Sequence, residues 1–284
     1  MQKIKFTADS TCDLSEDLIK ELNVDILPLS VTLGDKTYHD GVDIFPSTIY
    51  DYVEKNDLLP KTAAPSPEDY INLFSKYSEG YDAVIHFNIS SNLSASNQNA
   101  KIASQKFSNV HVIDSLSLST GTSLLLLKAD RLFKEGKSAK EITEIINSFR
   151  DKVMASFVVN TLEYLHKGGR CSGIERLGAT ILKLHPVLLL KEGNITVYKK
   201  LRGKIKDVYI DYIDILHKNF PEPEKEFAFL THSGCSEEYV EQVKARIQEL
   251  YNFKNIYVTV AGSTITSHCG KGTLGLLFIN KTKI

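Results

Sequence analysis

Short runs rich in β-branched residues alternate along the chain with longer stretches in which apolar residues recur at helical spacing. This alternation is typical of parallel strands connected by crossover helices, so it predicts an α/β fold. In the first half, the predicted strands lie near residues 4–8, 83–87 and 110–113, and the predicted helices near residues 15–22, 67–77, 94–106 and 118–135. Together these elements predict a small doubly wound domain.

A different pattern interrupts this domain after its first helix. Residues 26–39 alternate apolar and polar positions on either side of Gly34-Asp35. Alternation of period two around a glycine-containing turn predicts an inserted β-hairpin.

The α/β alternation starts again after a predicted helix at residues 139–149. In this second half, the predicted strands lie at residues 154–159, 186–190, 195–199, 227–230, 256–259 and 276–279, the helices at 204–218 and 236–251, and a hairpin turn at Glu192-Gly193-Asn194. Because 284 residues exceed the usual size of one domain, we predict two α/β domains, residues 1–153 and 154–284. No long linker separates them, so we expect the domains to pack closely.

Charge and composition exclude several classes of protein. With 34 basic and 35 acidic residues, the formal net charge of -1 gives no global attraction to nucleic acid or to an anionic membrane. The four cysteines, at positions 12, 171, 235 and 269, include no close pair, which excludes a CxxC redox motif and a cysteine-rich zinc site. The N-terminus shows no secretory leader, and the longest apolar runs are too short to span a bilayer. We therefore expect a cytoplasmic protein without stable membrane insertion.

Polar loops at the ends of predicted elements hold candidate ligand contacts, because ligands of open α/β sheets bind there. Ser66 and Pro67 form a helix start, and capping explains Ser66 completely. Thr62 lies outside that cap in an extended stretch, so its hydroxyl either points into a neighbouring cleft or is simply solvated. Ser94 lies where the next predicted helix begins. The unpaired amides of such a start can bind a carboxylate, although capping alone also explains this serine.

His268 is the third candidate. The glycines at 270, 272 and 275 formally match GxGxxG, but a strand follows them where a dinucleotide site needs a helix, so no nucleotide site is predicted. His268 then lies in a flexible loop. Its titration range suits pairing with a carboxylate, and a solvated or structural side chain is the alternative.

Two arginines lie in basic segments, Arg170 within residues 167–173 after a short helix and Arg202 within residues 199–204. Exposed arginines usually form part of a solvated surface. A guanidinium also binds phosphate or carboxylate through two parallel hydrogen bonds, so a partner's nucleotide or acidic surface is the second interpretation.

Signatures of catalysis are missing from the sequence. It contains no G-x-S-x-G elbow, no H-E-x-x-H and no acidic cluster with metal spacing. His232 and Ser233 are adjacent in a predicted strand and would point to opposite faces. We therefore expect neither a reaction centre nor a cofactor. A self-sufficient enzyme, such as an esterase or a small-molecule kinase, is the alternative, and the near-neutral charge disfavours a DNA-binding role.

Six short motifs follow one another in a particular order. They are Phe6-Thr-Ala-Asp-Ser-Thr11, Thr62-Ala-Ala-Pro-Ser66, Ser90-Ser-Asn-Leu-Ser94, Val112-Ile-Asp-Ser115, Gly168-Gly-Arg170 and His268-Cys-Gly270. In this order and spacing the chain resembles, over nearly its whole length, the DegV family, the fatty-acid-binding subunits of bacterial fatty acid kinases. It departs from that family at Ala95-Ser96, where glycine and threonine are common. It departs again at Lys271, where proline is common and where a more mobile His268 loop is expected.

The resemblance implies a two-domain α/β fold with a long-chain fatty acid in a tunnel between the domains. Thr62 and Ser94 would hydrogen-bond the carboxylate, and His268 would approach it from the C-terminal domain. Arg170 and Arg202 would face an ATP-dependent kinase subunit, which binds ATP and magnesium and phosphorylates the carboxylate. An acyltransferase would then use the acyl-phosphate in phospholipid synthesis. The chain itself would be a lipid-binding subunit without catalysis.

Overall fold

A computed structural model describes residues 2–171 and 184–283 of the chain. The strands of this part are β1 Ile4–Asp9, β2 Asp25–Leu27, β3 Ser30–Leu33, β4 Lys36–His39, β5 Lys61–Ala63, β6 Ala83–Asn88, β7 Val110–Asp114, β8 Val153–Val158, β9 His185–Lys191, β10 Asn194–Leu201, β11 Pro223–Ser233, β12 Asn255–Val260 and β13 Thr273–Asn280. The helices are α1 Glu16–Glu21, α2 Pro46–Asn56, α3 Pro67–Ser78, α4 Ser96–Ser104, α5 Thr120–Lys134, α6 Ala139–Phe149, α7 Glu163–Lys167, α8 Ile205–Asn219, α9 Glu237–Tyr251 and α10 Ser263–Cys269. Short 3-10 turns occupy Ser10–Cys12 and Arg150–Lys152.

The first sheet has the strand order β2-β1-β6-β7, and its strands run parallel. Every residue of β1 and β6 is buried, as expected for parallel strands that are covered on both faces. Helices α5 and α6 pack on one face and α3 and α4 on the other. The predicted doubly wound arrangement is therefore confirmed, although the sequence pattern missed the three-residue strand β2.

The second sheet has the order β10-β9-β8-β13-β11-β12. Among its described strands only β11 and β12 run parallel, and all other neighbours are antiparallel. The α/β alternation predicted for the second half did not show that this sheet is mostly antiparallel, because apolar runs locate strands but do not give their direction. The hairpin turn predicted between β9 and β10 is confirmed, and Glu192 and Gly193 have the positive φ angles of such a turn.

The inserted hairpin is confirmed as β3 and β4, joined at Gly34-Asp35. Strand β5 also pairs with β3, so the insertion is a three-stranded antiparallel sheet that the sequence pattern did not predict. Val31 of this sheet and Ile49 of α2 are completely buried against each other. The small sheet and α2 also contact α10, so the insertion packs against a helix of the second half of the chain.

Helix α10 replaces the flexible loop that was predicted around His268, so that prediction is wrong. The helix is rich in serine and threonine, which have modest helix propensity, and it is only seven residues long. Local sequence therefore does not reveal it. Side chains in the first half of the chain accept hydrogen bonds from its N-terminal amides, as described below.

One apolar cluster joins the two large sheets through α5, whose first eight residues are all buried. Gly121 of this helix lies so close to its neighbours that a Cβ atom there would be 3.4 Å from Val153 and in collision with Ser117. Strand β8, which begins at Val153, is the first strand of the second sheet in chain order. The division into domains between residues 153 and 154 stays a prediction. No helix in residues 2–171 or 184–283 is long and apolar enough to cross a membrane.

A buried polar network holds the carboxyl end of β1 against that of β6. Asp9 accepts hydrogen bonds from the Tyr70 hydroxyl at 2.7 Å, from Asn88 Nδ2 at 3.0 Å and from the Ile89 amide at 3.3 Å. Asn97 Nδ2 donates to Asn88 Oδ1 at 3.3 Å. The network therefore fixes both ends of the loop between β6 and α4, and this loop carries Ser94.

We expect Tyr70→Phe to lower the free energy of unfolding by about 1–3 kcal/mol, because the Asp9 carboxylate loses a donor that water cannot replace. Urea denaturation measures the change. Tyr81→Phe is the matched control, since the partly exposed Tyr81 hydroxyl does not belong to this network. Equal free energies for the two variants would contradict the structural role of the Tyr70 hydroxyl.

Candidate functional site

A narrow cavity lies between the two large sheets, and small molecules commonly bind in clefts between packed layers of a protein. The tunnel between domains that the resemblance implied is therefore present. Both halves of the chain contribute its walls, and most of the surface that faces the cavity is apolar, with contributions from Leu29, Ile89, Leu118, Phe157, Ile265 and Leu277. Such a lining favours an apolar ligand.

Thr62 and His268 meet in the wall of this cavity. Thr62 lies in β5, and His268 lies in the last turn of α10. Thr62 Oγ1 and His268 Nε2 are 2.7 Å apart and share a hydrogen bond between residues 206 positions apart in the sequence. The structure thus brings together two of the side chains that the sequence predicted separately.

Ser94 lines the same cavity and also caps locally. Its hydroxyl oxygen accepts a hydrogen bond from the Ser96 amide at 3.2 Å and lies 2.9 Å from Ser96 Oγ. Helix α4 begins at Ser96, two residues later than predicted, because Ser94 forms the turn that precedes it. Both interpretations of Ser94, capping and proximity to a ligand, are compatible with its position.

Arg170 marks the mouth of the cavity, because it lines the cavity although it is exposed. Its Nη1 donates to the Gly168 carbonyl at 2.7 Å and its Nε to the Leu93 carbonyl at 3.3 Å. An open groove along α4 meets the cavity at Leu93, Ser94 and Arg170. The polar side chains predicted from sequence therefore cluster at the mouth.

Arg202 does not belong to this cluster. It is exposed in the turn between β10 and α8 and does not line the cavity. The last two residues of the predicted basic segment 167–173 lie outside the described residues.

Burial, together with the smaller effect of the Arg170 charge, lowers the pKa of His268 from its ordinary value of 6.5 to about 4. The ring is therefore neutral near pH 7 in this structure. Its Nδ1 atom has no hydrogen-bond partner among the described residues. The ring rests against Gly168, where a Cβ atom would lie 2.6 Å from Nδ1, so a glycine is needed to admit the ring.

One face of α10 forms a wall of the cavity, and the sequence interpretation missed it. Thr264, Ile265, His268 and Cys269 all line the cavity. Their spacing of one, three and one positions is that of neighbours on a helix face. This pattern could have predicted the wall if the segment had been interpreted as a helix.

The fold and the cavity define a class of protein: an α/β protein whose two large, helix-covered sheets pack around an apolar cavity with a polar mouth. A model of the DegV family, described as an uncharacterised protein family, matches residues 3–281. The chain therefore belongs to the DegV family.

Similar proteins are known in sequence and in structure. A DegV domain-containing protein of Caldanaerobacter subterraneus is 30% identical over 99% of this chain and 100% of its own length. A solved DegV family protein from Thermus thermophilus, described as binding fatty acid, is 31% identical with a TM-score of 0.91 and covers 98% of this chain and 99% of its own. The Streptococcus pneumoniae Fatty Acid Kinase (Fak) B3 protein loaded with linoleic acid shares the fold at 23% identity, with a TM-score of 0.83 over 98% and 100% of the two chains.

We expect His268→Gln to reduce the loss of stability in acid. Between about pH 6.5 and pH 4, the unfolded chain binds a proton at this histidine and the folded chain does not. The free energy of unfolding therefore falls as the pH is lowered through this window, by on the order of 1–2 kcal/mol between pH 7 and pH 5. Urea denaturation at both values measures the difference.

Glutamine at position 268 keeps a polar group that can hydrogen-bond Thr62. The control is His166→Gln, which changes an exposed histidine in the same way. The control should retain the acid sensitivity of the parent protein. An identical pH dependence in His268→Gln and in the parent protein would show that the buried histidine does not resist protonation.

Proposed function

We propose that the chain binds one long-chain fatty acid in the cavity, with the hydrocarbon inward, and presents the carboxylate at the mouth to an ATP-dependent kinase subunit. The observation that carries this proposal is an apolar cavity in whose wall Thr62 and His268 share a hydrogen bond, with Ser94 and Arg170 in the same lining. An amphipathic chain with one anionic end matches this distribution. The described binding of fatty acid by the Thermus thermophilus relative supports the same ligand class.

The apolar walls supply the affinity. At about 0.8 kcal/mol per buried methylene, a long acyl chain gains on the order of 10 kcal/mol on transfer from water. Immobilising the ligand opposes this gain, so only part of it is available as binding free energy. The polar end therefore need not add much affinity in order to decide the orientation of the ligand.

The head group needs hydrogen-bond donors, since an unpaired carboxylate in an apolar cavity costs several kcal/mol. Several other hydroxyls in the wall are engaged elsewhere: Ser119 donates to Asp13, and Thr231 shares hydrogen bonds with Thr120 and Thr259. Thr264 Oγ1 also lies in the wall and has no hydrogen-bond partner among the described residues. If His268 Nε2 carries the ring proton, it donates to Thr62 Oγ1 and leaves the Thr62 hydroxyl hydrogen for the carboxylate. The ligand anion would in turn raise the pKa of His268.

The kinase part of the proposal rests on two exposed arginines, one at the mouth of the cavity and one outside the cavity. Arg170 and Arg202 are both exposed and carry guanidinium groups suited to phosphate or to an acidic partner surface. The shared fold with the Streptococcus pneumoniae protein is compatible with such a partner. The acyl-phosphate product would pass to an acyltransferase of phospholipid synthesis. The chain would need no cofactor, would act in the cytoplasm and would bind no nucleic acid.

We expect protein purified from a bacterial host to release a long-chain fatty acid on denaturation, detected by mass spectrometry.

Combining Thr62→Val with Ser94→Ala removes two hydroxyls from the head-group end, and hydrogen bonds to a charged group contribute about 1.5–3 kcal/mol each. Affinity for the acid should therefore fall at least about tenfold. Formation of acyl-phosphate with a kinase subunit and ATP should fall with it.

The control combines Thr37→Val with Ser75→Ala, which remove two exposed hydroxyls far from the cavity wall. The proposal would be overturned if the parent protein neither releases a fatty acid on denaturation nor binds one when it is added. Turnover of ATP or of an ester by the isolated chain would favour the self-sufficient enzyme instead.

A further inference from the structure

The N-terminus of α10 lacks a cap of its own. Its N-cap residue is Gly262, which has no side chain to accept a hydrogen bond from the first amides. The Gly262 amide instead donates to Asp13 Oδ1 at 2.9 Å, and the Ser263 and Thr264 amides donate to Asp40 at 2.7 and 3.2 Å. Two carboxyl groups from the first half of the chain thus satisfy a helix that begins more than 220 residues later.

These carboxyl groups are themselves fixed. Ser119 Oγ donates to Asp13 at 2.5 Å, and Ser10 Oγ donates to Asp40 at 3.0 Å. Both aspartates are buried, with 5% and 3% of their surface exposed. Burial raises the pKa of Asp13 to about 8; the hydrogen bonds from Ser119 and Gly262 act in the opposite direction, and the nearby Asp40 charge adds to the rise.

Gly262 is adapted to the same contact. A Cβ atom at this position would lie 3.0 Å from Asp13 Oδ1 and 3.2 Å from Asp40 Oδ1, closer than nearly all real contacts of this kind. Its φ angle of -62° is one that alanine adopts freely. A side chain at this position would therefore crowd the two carboxyl groups, although the backbone conformation itself does not need glycine.

Helix α10 carries His268 at its other end, five residues after Ser263. A seven-residue helix has little stability of its own, so its position depends on what holds its ends. The carboxyl groups hold the first end and the hydrogen bond to Thr62 meets the second. A shift of the first end moves the cavity-lining face as a unit.

The geometry points to Asp13 and Asp40 as positioning residues, which place α10 so that His268 meets Thr62 at the head-group end and thereby make the cavity prefer a carboxylate over an uncharged head group. This inference rests on the proposed binding of a fatty acid. Neither aspartate lines the cavity, so each acts through the helix.

The test compares palmitate with hexadecanol, which have the same chain length and differ in the head group. In Asp40→Asn, an NH₂ group replaces one of the two oxygens that accept helix amides, so α10 must shift. We expect the preference for palmitate over hexadecanol to fall about tenfold, the equivalent of one lost hydrogen bond to a charged group. Affinity for hexadecanol should stay within about twofold of the parent value, since the apolar walls remain.

Gly262→Ala tests the same contact without removing a carboxyl group and serves if Asp40→Asn does not fold. It should reduce the preference in the same direction. Two controls should leave the preference unchanged: Asp35→Asn at an exposed turn of the same small sheet, and Gly80→Ala, where a Cβ atom meets nothing within 4 Å. In both test variants, the nitrogen NMR signals of the His268 ring should also show a weakened hydrogen bond at Nε2.

The outcomes separate the two levels of the hypothesis. A parent protein that does not bind palmitate, or binds it no better than hexadecanol, overturns the proposed function. A parent protein that prefers palmitate, with the same preference in Asp40→Asn and Gly262→Ala, overturns the positioning role alone. Equal losses for acid and alcohol would assign the aspartates a purely structural role and also overturn the inference.

Discussion

A carboxyl group removed from water must be met by hydrogen-bond partners, and this constraint organises the molecule. Asp9 meets a tyrosine hydroxyl, an asparagine amide and a backbone amide where β1 ends beside β6. Asp13 and Asp40 meet the unpaired amides at the start of α10. Each buried acid therefore joins segments that are distant in sequence, and together they determine the positions of the loop that carries Ser94 and of the helix that carries His268.

The apolar part of the structure gives these contacts their strength. The cluster that joins the two large sheets through α5 keeps water away from the interface, so hydrogen bonds there do not compete with solvent. A cavity remains between the sheets. In its wall, Thr62 of the small inserted sheet and His268 of α10 share a hydrogen bond. An insertion that interrupts the α/β pattern thus supplies one side of the mouth.

Periodic elements were predictable from the sequence, and elements held by distant contacts were not. The amphipathic stretch of α6 was predicted with the bounds that the structure has, since its apolar positions and capping box are local features. Strands β2 and β5 have three residues each, too few to show a period. Helix α10 was mistaken for a flexible loop because its stabilising acceptors, Asp13 and Asp40, lie in another part of the chain.

The candidate site shows the same division. Local sequence could nominate Thr62, Ser94 and His268 only as polar residues at element ends, each with a plain structural alternative, and the family resemblance was needed to connect them. The structure shows that the first and last share a hydrogen bond and that burial makes the ring neutral. A neutral ring changes the chemistry expected of this histidine. It shares a hydrogen bond with Thr62, while the positive charge beside the ring belongs to the exposed Arg170. The guanidinium stays in contact with solvent, and the buried ring and hydroxyl form a hydrogen bond between neutral groups, which cost less to remove from water than charged groups do.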